Sequence, residues 1–488
     1  MEGKKIVVLG GGTAGWMSAL FCRKIFPLAS ISVIENTSLG TVGVGEGTAL
    51  AFIRFLREIG LNEFDVMRAA GGVVKTGTSF ENWNGDNKKY FHGFRGADNE
   101  FSLPYDGFLG TEEYYLKALN KKGLDFNEYV YTAKLSYQNK LDLYHIPAAM
   151  HFDNAKLGSY FRGLGEQRNI VCVDGNFSHV DVDEEGFIKT LWIDDGRDFE
   201  CDFVFDCSGF SRLLIGNFYK VPWVSHKNFL PMKKAIAFTL DSETEVKPYT
   251  QAIAMKYGWM WKIPVHDRIG CGYVFDSDYL TDEEALEEIK QTLNQTMSNV
   301  RSIPFNPGKY EQFWIKNCMA VGLSSNFLEP LEATSLSVIS LQLRNLKFCL
   351  NHVFTYNENT TARYNKNLSI CVDSIAQFIY LHYLTKRSDT EFWRTFEQRY
   401  PPPQKIGELL ELIYENNLRA GDVYGEIFAI RDYLDICNGL DMFKQPVNID
   451  GYENLTPSVE EHKKMMDAQI LDTNIITTHR EFLERVYS

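Results

Sequence analysis

The chain has 488 residues, a formal net charge of −14, 44% hydrophobic against 23% charged residues and only 15 prolines, which excludes a disordered or fibrous chain and suffices for one large α/β unit or two fused modules. The acidic balance disfavours nucleic acid and anionic membrane surfaces, both repelled at long range, and leaves a small molecule as the better-fitting partner. No apolar run approaches the roughly 20 residues a membrane helix requires, and nine cysteines without a CxxC pair offer no metal-ligand spacing and point to reduced thiols in a soluble, cytoplasmic protein.

In chain order, Lys4-Lys5 followed by Ile6–Leu9 has the charge and apolar order of a secretion signal, but the run is too short and ends in glycines, so a first buried strand is expected. The pattern predicts a strand over Lys4–Gly10, a helix over Ala14–Ile25 and a strand over Ile31–Glu35, a βαβ opening. The turn between them, Gly10-Gly11-Gly12-Thr13-Ala14-Gly15, is a GxGxxG motif. Gly10 permits the tight turn, Gly12 lets the backbone approach a pyrophosphate, and Gly15 allows close packing of helix on strand, with phosphate at the helix N-terminus beside Thr13 and Ala14. Glu35 ends the second strand, where a carboxylate accepts from ribose hydroxyls and disfavours a 2′-phosphate. The motif alone does not separate FAD from NAD, and a strand–helix turn that binds nothing is the plain alternative. Asp206-Cys207-Ser208-Gly209 follows a buried strand over Phe203–Phe205, and this return to the first sheet, with Gly209 small enough to pass a cofactor closely, favours FAD.

From Phe177 to Ser208, alternating runs such as Val180–Val182 and Phe187–Trp192 predict an antiparallel meander within a mixed α/β fold. Beyond Leu331, apolar residues recur at helical spacing over Leu336–Phe354, Ile370–Leu384 and Ile406–Glu415, and Pro401-Pro402-Pro403 marks a sharp break between helices. The sequence shows no internal repeat and no second dinucleotide fingerprint. Cys22 and Cys349 are expected as core fillers.

Four further segments, Gly43–Thr48 (GVGEGT), Gly258–Pro264 (GWMWKIP), Phe327–Ser335 (FLEPLEATS) and Phe378–Tyr383 (FIYLHY), together resemble the flavin-dependent tryptophan halogenase family, the second matching its WxWxIP motif. The resemblance covers most of the chain. It implies an α/β fold: an FAD-binding βαβ module of the flavin monooxygenase type with antiparallel sheet insertions over 1–355, and a mostly helical, substrate-side module over 356–488 packed onto it. It also implies that reduced FAD, oxygen and a halide yield hypohalous acid, which travels through a tunnel to an aromatic substrate. By the same resemblance Val44 and Gly45 belong to a strap over the flavin, Gly209, Leu323 and Leu336 contact the cofactor, and Trp259, Trp261, Ile263 and Pro264 wall the flavin from the substrate. Thr334 and Ser335 match the halide positions, although the tryptophan enzymes have Gly where Ser335 stands and Ser where Ala333 stands.

Val74–Trp83 resembles the family stretch that carries a catalytic lysine, with Lys75 five residues before Phe80 and eight before Trp83. The implied role of Lys75 is to hydrogen-bond hypohalous acid or form a haloamine; that of Glu332 is to stabilise the cationic ring intermediate, take its proton and orient the lysine. His92 and Phe94 match a pair that sandwiches an indole. Against these stand the plain alternatives of a solvated lysine, a capping glutamate and ordinary loop packing. The last tryptophan is Trp393, and no segment matches the C-terminal lid of the free-tryptophan enzymes.

The reading is an FADH2-dependent halogenase acting on an electron-rich aromatic, indole-like or larger rather than free tryptophan, with chloride, bromide or iodide as the halide and the larger halides easier to oxidise. FADH2 would come from a separate NADH-dependent flavin reductase. No metal, nucleic acid or membrane is expected, and a homo-oligomer is left open. A flavin monooxygenase or oxidase without halogen transfer, and a catalytically silent flavoprotein, are the rivals.

Overall fold

A computed structural model of the chain describes residues 3–38, 46–94, 123–415, 417–423, 427–444 and 459–488. The chain divides into two compact units, each drawn from three stretches: Met1–Gly72, Phe152–His226 and Asn306–Asp373 in the first, Val73–His151, Lys227–Phe305 and Ser374–Ser488 in the second. This differs from the expected division into 1–355 and 356–488. The helices beyond Ser374 share a unit with two earlier stretches, because the chain returns to each unit instead of finishing one before starting the next.

The first unit is built on a six-stranded sheet in the order Trp314–Ile315, Cys318–Ala320, Phe203–Asp206, Lys5–Leu9, Ser30–Glu35 and Val171–Asp174. All neighbours are parallel except the Trp314–Ile315 hairpin pair. The strand Lys5–Leu9 buries its last four residues, as a continuous apolar run covered on both faces should. The chain runs from that strand to Ser30–Glu35 on one side and Phe203–Asp206 lies on the other, so the order reverses there and the loops beyond the carboxyl ends open a crevice. A helix over Asn154–Gln167, capped by the Asp153 carboxylate on the Lys156 amide, packs on the helix Thr13–Ile25 closely enough that a Cβ on Gly165 would lie 2.4 Å from the Trp16 ring. The expected meander is present as Phe177–Val182, Ile188–Ile193 and Asp198–Glu200, and Ile188, Leu191 and Ile193 join Val7, Leu9 and Val204 in one core.

The second unit holds a seven-stranded sheet in the order Ser298–Pro304, Lys234–Asp241, Arg268–Phe275, Gly258–Pro264, Thr250–Met255, Gly77–Glu81 and Lys89–Gly93. Its neighbours are antiparallel apart from Thr250–Met255 with Gly77–Glu81. Helix Asp282–Leu293, started by a Thr281/Glu284 capping box, lays Ala285 and Ile289 on a core that includes Phe238, Met260, Tyr273 and Phe275.

Two helices differ from expectation. The one predicted over Leu336–Phe354 spans Ser335–Lys347 and gives way to a 3-10 turn at Leu350–His352, and the one predicted over Ile370–Leu384 spans Glu358–Leu381. The buried positions Thr361, Tyr364, Asn365 and Leu368 keep helical spacing, but two of the four are polar and hide the stripe. Asn365 is buried because its Oδ1 accepts from the Phe313 and Trp314 amides. Cys22 and Cys349 are buried. Among the described residues no helix is long and apolar enough to cross a membrane.

Candidate active site

In the first unit, the glycine turn follows the strand Lys5–Leu9 with Gly10 at φ +115°. A Cβ on Gly10 would lie 2.2 Å from the Cys207 carbonyl oxygen and one on Gly15 1.8 Å from that of Gly10, whereas a Cβ on Gly12 would meet nothing within 4 Å. Two glycines are thus forced by close packing, and the third faces open space where a pyrophosphate fits against the helix start. Thr13 Oγ1 donates to Asn154 Oδ1 at 2.5 Å. Glu35 sits at the end of its strand with its Oε1 paired to Arg162 at 2.9 Å. Gly322, at φ +71°, brings the turn containing Leu323 against Ala14, and Gly209 lies at φ +66° in the turn after Phe203–Asp206. The Gly10–Gly15 turn and Glu35 have the chemistry to hold the adenosine diphosphate half of a dinucleotide. Val44 and Gly45 lie outside the described residues.

The turn before the helix Ser335–Lys347 also belongs to this unit. Glu332 is 7% exposed and Thr334 4%, so Glu332 is no surface glutamate. Between them Ala333 adopts φ +53°, a left-handed conformation costly for a residue with a Cβ and characteristic of functional turns. Thr334 is the N-cap, yet its side chain makes no capping bond, so the first amides of a 13-residue helix are not served by that hydroxyl. Amides in that state favour an anion. Leu336 is buried in the first turn.

In the second unit, Lys75 ends the strand Val73–Lys75, paired antiparallel to Ala149–Phe152 with Lys75 opposite Ala149. It is 2% exposed, far from the solvated lysine of the plain alternative, and its Nζ lies 5.2 Å from the centre of the Phe94 ring. Phe80 and Trp83, which share its family spacing, are core residues: Phe80 stacks on Tyr90 and the Trp83 indole donates to the Ala252 carbonyl. His151, on the partner strand and fully buried, is held well below the ordinary imidazole value by burial first and by the Lys75 ammonium second, and so is neutral. Its Nε2 contacts Thr250 Oγ1 at 2.8 Å.

His92 pairs with Thr78 across the sheet and places its Nε2 3.2 Å from Asp432 Oδ1. The other Asp432 oxygen accepts from the Ala429 amide at 2.6 Å, which ties the His92 ring to a helix start. Phe378 and Phe428 stack at 3.8 Å, and their ring centres lie 5.9 and 6.4 Å from that of His92. Trp259 and Trp261 share one side of their strand with centroids 6.0 Å apart; both are buried, as are Ile263 and Pro264. Trp261 lies over Gly272, where a Cβ would meet its ring at 2.2 Å. Trp393 is core, its indole donating to the Met255 carbonyl. Sequence reasoning did not single out Asn154, Arg162, His151, Phe428 or Asp432. Their partners are remote in sequence, 340 residues for Asp432 and His92, and no local pattern marks them.

A mostly parallel sheet with a glycine cradle at its switch point and a carboxylate closing the second strand defines the dinucleotide-binding class of protein. A family model described as Tryptophan halogenase matches residues 5–449, and the chain belongs to that family. It is 30% identical over 449 residues to tryptophan 6-halogenase SttH of Streptomyces toxytricini, covering 83% of each chain, and 31% identical over 425 residues to tryptophan 7-halogenase RebH of Lentzea aerocolonigenes, covering 81% of this chain and 79% of that one. Among solved structures, the flavin-dependent halogenase BrvH from Brevundimonas sp. BAL3 superposes with a TM-score of 0.88 at 30% identity over 99% of both chains. The chain is accordingly an enzyme of the flavin-dependent halogenase class, using FAD and a halide.

Proposed function

We propose that this enzyme halogenates an electron-rich aromatic, indole-like or larger, with Lys75 delivering the halogen and Glu332 assisting. The observation that carries the reading is the near-complete burial of Lys75, 2% exposed, under the Phe94 ring. An ammonium removed from water is kept at a cost that a purely structural strand position does not require.

Gly10, Gly12, Thr13, Ala14, Gly15 and Glu35 would hold the adenosine diphosphate half of FAD, and Gly209, Leu323 and Leu336, with Val44 and Gly45 of the strap, the flavin half. When bound in its reduced form, the cofactor would supply two electrons that take oxygen to the peroxide level, and oxygen at that level takes two electrons from the halide, giving hypohalous acid and water. Thr334 and Ser335 would hold the halide at the helix start, supported by the unused cap there. Trp259, Trp261, Ile263 and Pro264, all buried, would keep the organic substrate from the cofactor, as the family resemblance implies. The Lys75 ammonium would donate to the oxygen of hypohalous acid and polarise the O–X bond, or as amine take the halogen and pass it on. In either case the ring carbon gains halogen and loses a proton, which the Glu332 carboxylate takes, and the oxygen leaves as water. The similarity to tryptophan 6- and 7-halogenases supports an indole; the absence of a matching lid motif supports larger substrates than free tryptophan. Bromide and iodide are easier to oxidise than chloride, and Ser335 departs from the tryptophan enzymes. Reduced FAD would come from a separate NADH-dependent flavin reductase, in a cytoplasmic setting.

The test is incubation with FADH2, oxygen and each halide against indole, a trimethoxybenzene, a phenol and free tryptophan, read by mass spectrometry. Halogenated indole is the expected product. Oxygen insertion alone, or exclusive use of free tryptophan, contradicts the reading.

A further inference from the structure

The fingerprint accounts for one side of the adenosine diphosphate cradle, the turn at Gly10–Gly15 and the carboxylate of Glu35. The other side is a helix that carries no recognised motif. Asn154, the first residue of the helix Asn154–Gln167, accepts from Thr13 Oγ1 at 2.5 Å. Arg162 lies eight residues on, about 12 Å along the helix axis, and its guanidinium pairs with Glu35 Oε1 at 2.9 Å. A single helix therefore touches both ends of the cradle.

The two oxygens of Glu35 have different surroundings. Oε1 receives the Arg162 guanidinium and, at 3.1 Å, the thiol of Cys172. Burial first, and the Glu35 carboxylate second, push Cys172 up to about 12, so it remains a protonated donor. Oε2 points at Gly11, where a Cβ would sit 1.6 Å away. That contact explains why Gly11, a free position in the fingerprint, is a glycine here. One oxygen is anchored, and the other is turned toward the glycine turn, where a ribose approaches.

We propose that Arg162 is a positioning residue for FAD: by fixing Oε1, with Cys172 as second donor, it aims Oε2 of Glu35 at the ribose hydroxyls of the adenosine half. The proposal rests on Glu35 being the ribose carboxylate. Arg162 needs no contact with the cofactor; it acts through a carboxylate that the weaker Cys172 thiol alone would hold less firmly about its last torsion. An arginine suits the task because its planar fork restrains a carboxylate more than an ammonium does.

The experiment measures binding to the full apo-protein of FAD, ADP and 2′,3′-dideoxy-ADP, the nucleotides read by displacement of FAD fluorescence quenching. The wild type should prefer ADP over the dideoxy analogue by about tenfold, the worth of a hydrogen bond to a charged group. Arg162→Ala should cut that preference to about twofold, Arg162→Lys should restore part of it, and Arg162→Ala in a Glu35→Ala background should add nothing further. A wild-type preference retained in Arg162→Ala, with Glu35→Ala losing it, overturns the positioning role alone. Absence of any preference in the wild type, unchanged by Glu35→Ala, removes the ribose reading on which the role depends. Equal weakening for both nucleotides, with the ratio kept, marks general damage to the helix and also overturns the role.

Discussion

The first unit keeps its fingerprint residues together in one strand–helix–strand opening, Gly10 to Glu35, where backbone and open space would do the binding. The second unit takes Lys75, His92, Trp259 and Asp432 from three strands and a helix spread over more of the chain. On the proposed reading the work there would fall to buried side chains: a lysine, with a neutral imidazole at His151 beside it, and paired indoles. A site made of backbone tolerates side-chain change and fails on added Cβ atoms; a site made of buried side chains does the reverse.

The sharpest break of that contrast is Gly15→Val. With 1.8 Å between a Cβ and the Gly10 carbonyl, the helix must shift away from the strand, and FAD affinity should fall by more than about a hundredfold, measured by flavin fluorescence. Wild-type affinity would mean the cradle is not the cofactor's seat. Glu332→Gln keeps the shape of its turn and removes a base, so kcat should drop about a hundredfold while FAD binding stays; a kcat within twofold of wild type (about 0.4 kcal/mol) would take Glu332 out of the reaction. Asp432→Asn retains the bulk beside His92 but weakens its hold on the ring, and KM for indole should rise about fivefold, roughly the loss of charge assistance in one hydrogen bond, with kcat changing less. An effect on kcat alone would move His92 away from substrate binding.

A further expected effect concerns pH. Burial pushes His479 down to about 4, and its Nδ1 lies 2.8 Å from the Val246 carbonyl oxygen. A depressed folded-state value means that its contribution is complete above the ordinary 6.5 and is lost as pH falls through about 4. Acid should therefore cost the fold on the order of 3 kcal/mol from this group, and His479→Asn should flatten that part of a denaturation profile taken between pH 7 and 4. An unchanged profile would show that His479 is not the group titrating.

What the sequence disclosed follows the same division. The βαβ opening is legible to within two residues at each end because hydrophobic period and glycine spacing are local signals, and Glu35 follows from distance along the chain. The wall at Trp259 and Trp261 is legible only through family resemblance, since two tryptophans on one strand face also describe an ordinary core. Arg162, Asn154 and Asp432 carry no signal, because each is defined by a partner brought to it by folding, 141 residues away for Asn154 and Thr13. The helix from Glu358 begins earlier than its apolar pattern because Thr361 and Asn365 occupy buried positions through hydrogen bonds, which hydropathy does not record.

On the proposed mechanism Lys75 hands the halogen to the substrate after the oxidant has formed. The most direct measurement is Lys75→Ala assayed in parallel for halogenated product by mass spectrometry and for free hypohalous acid by a halogen-trapping dye, with FAD binding as control. Product should fall by at least about a thousandfold while trapped oxidant and FAD affinity stay at wild-type levels. Product formation at the wild-type rate, or loss of product and oxidant together with FAD still bound, would contradict it.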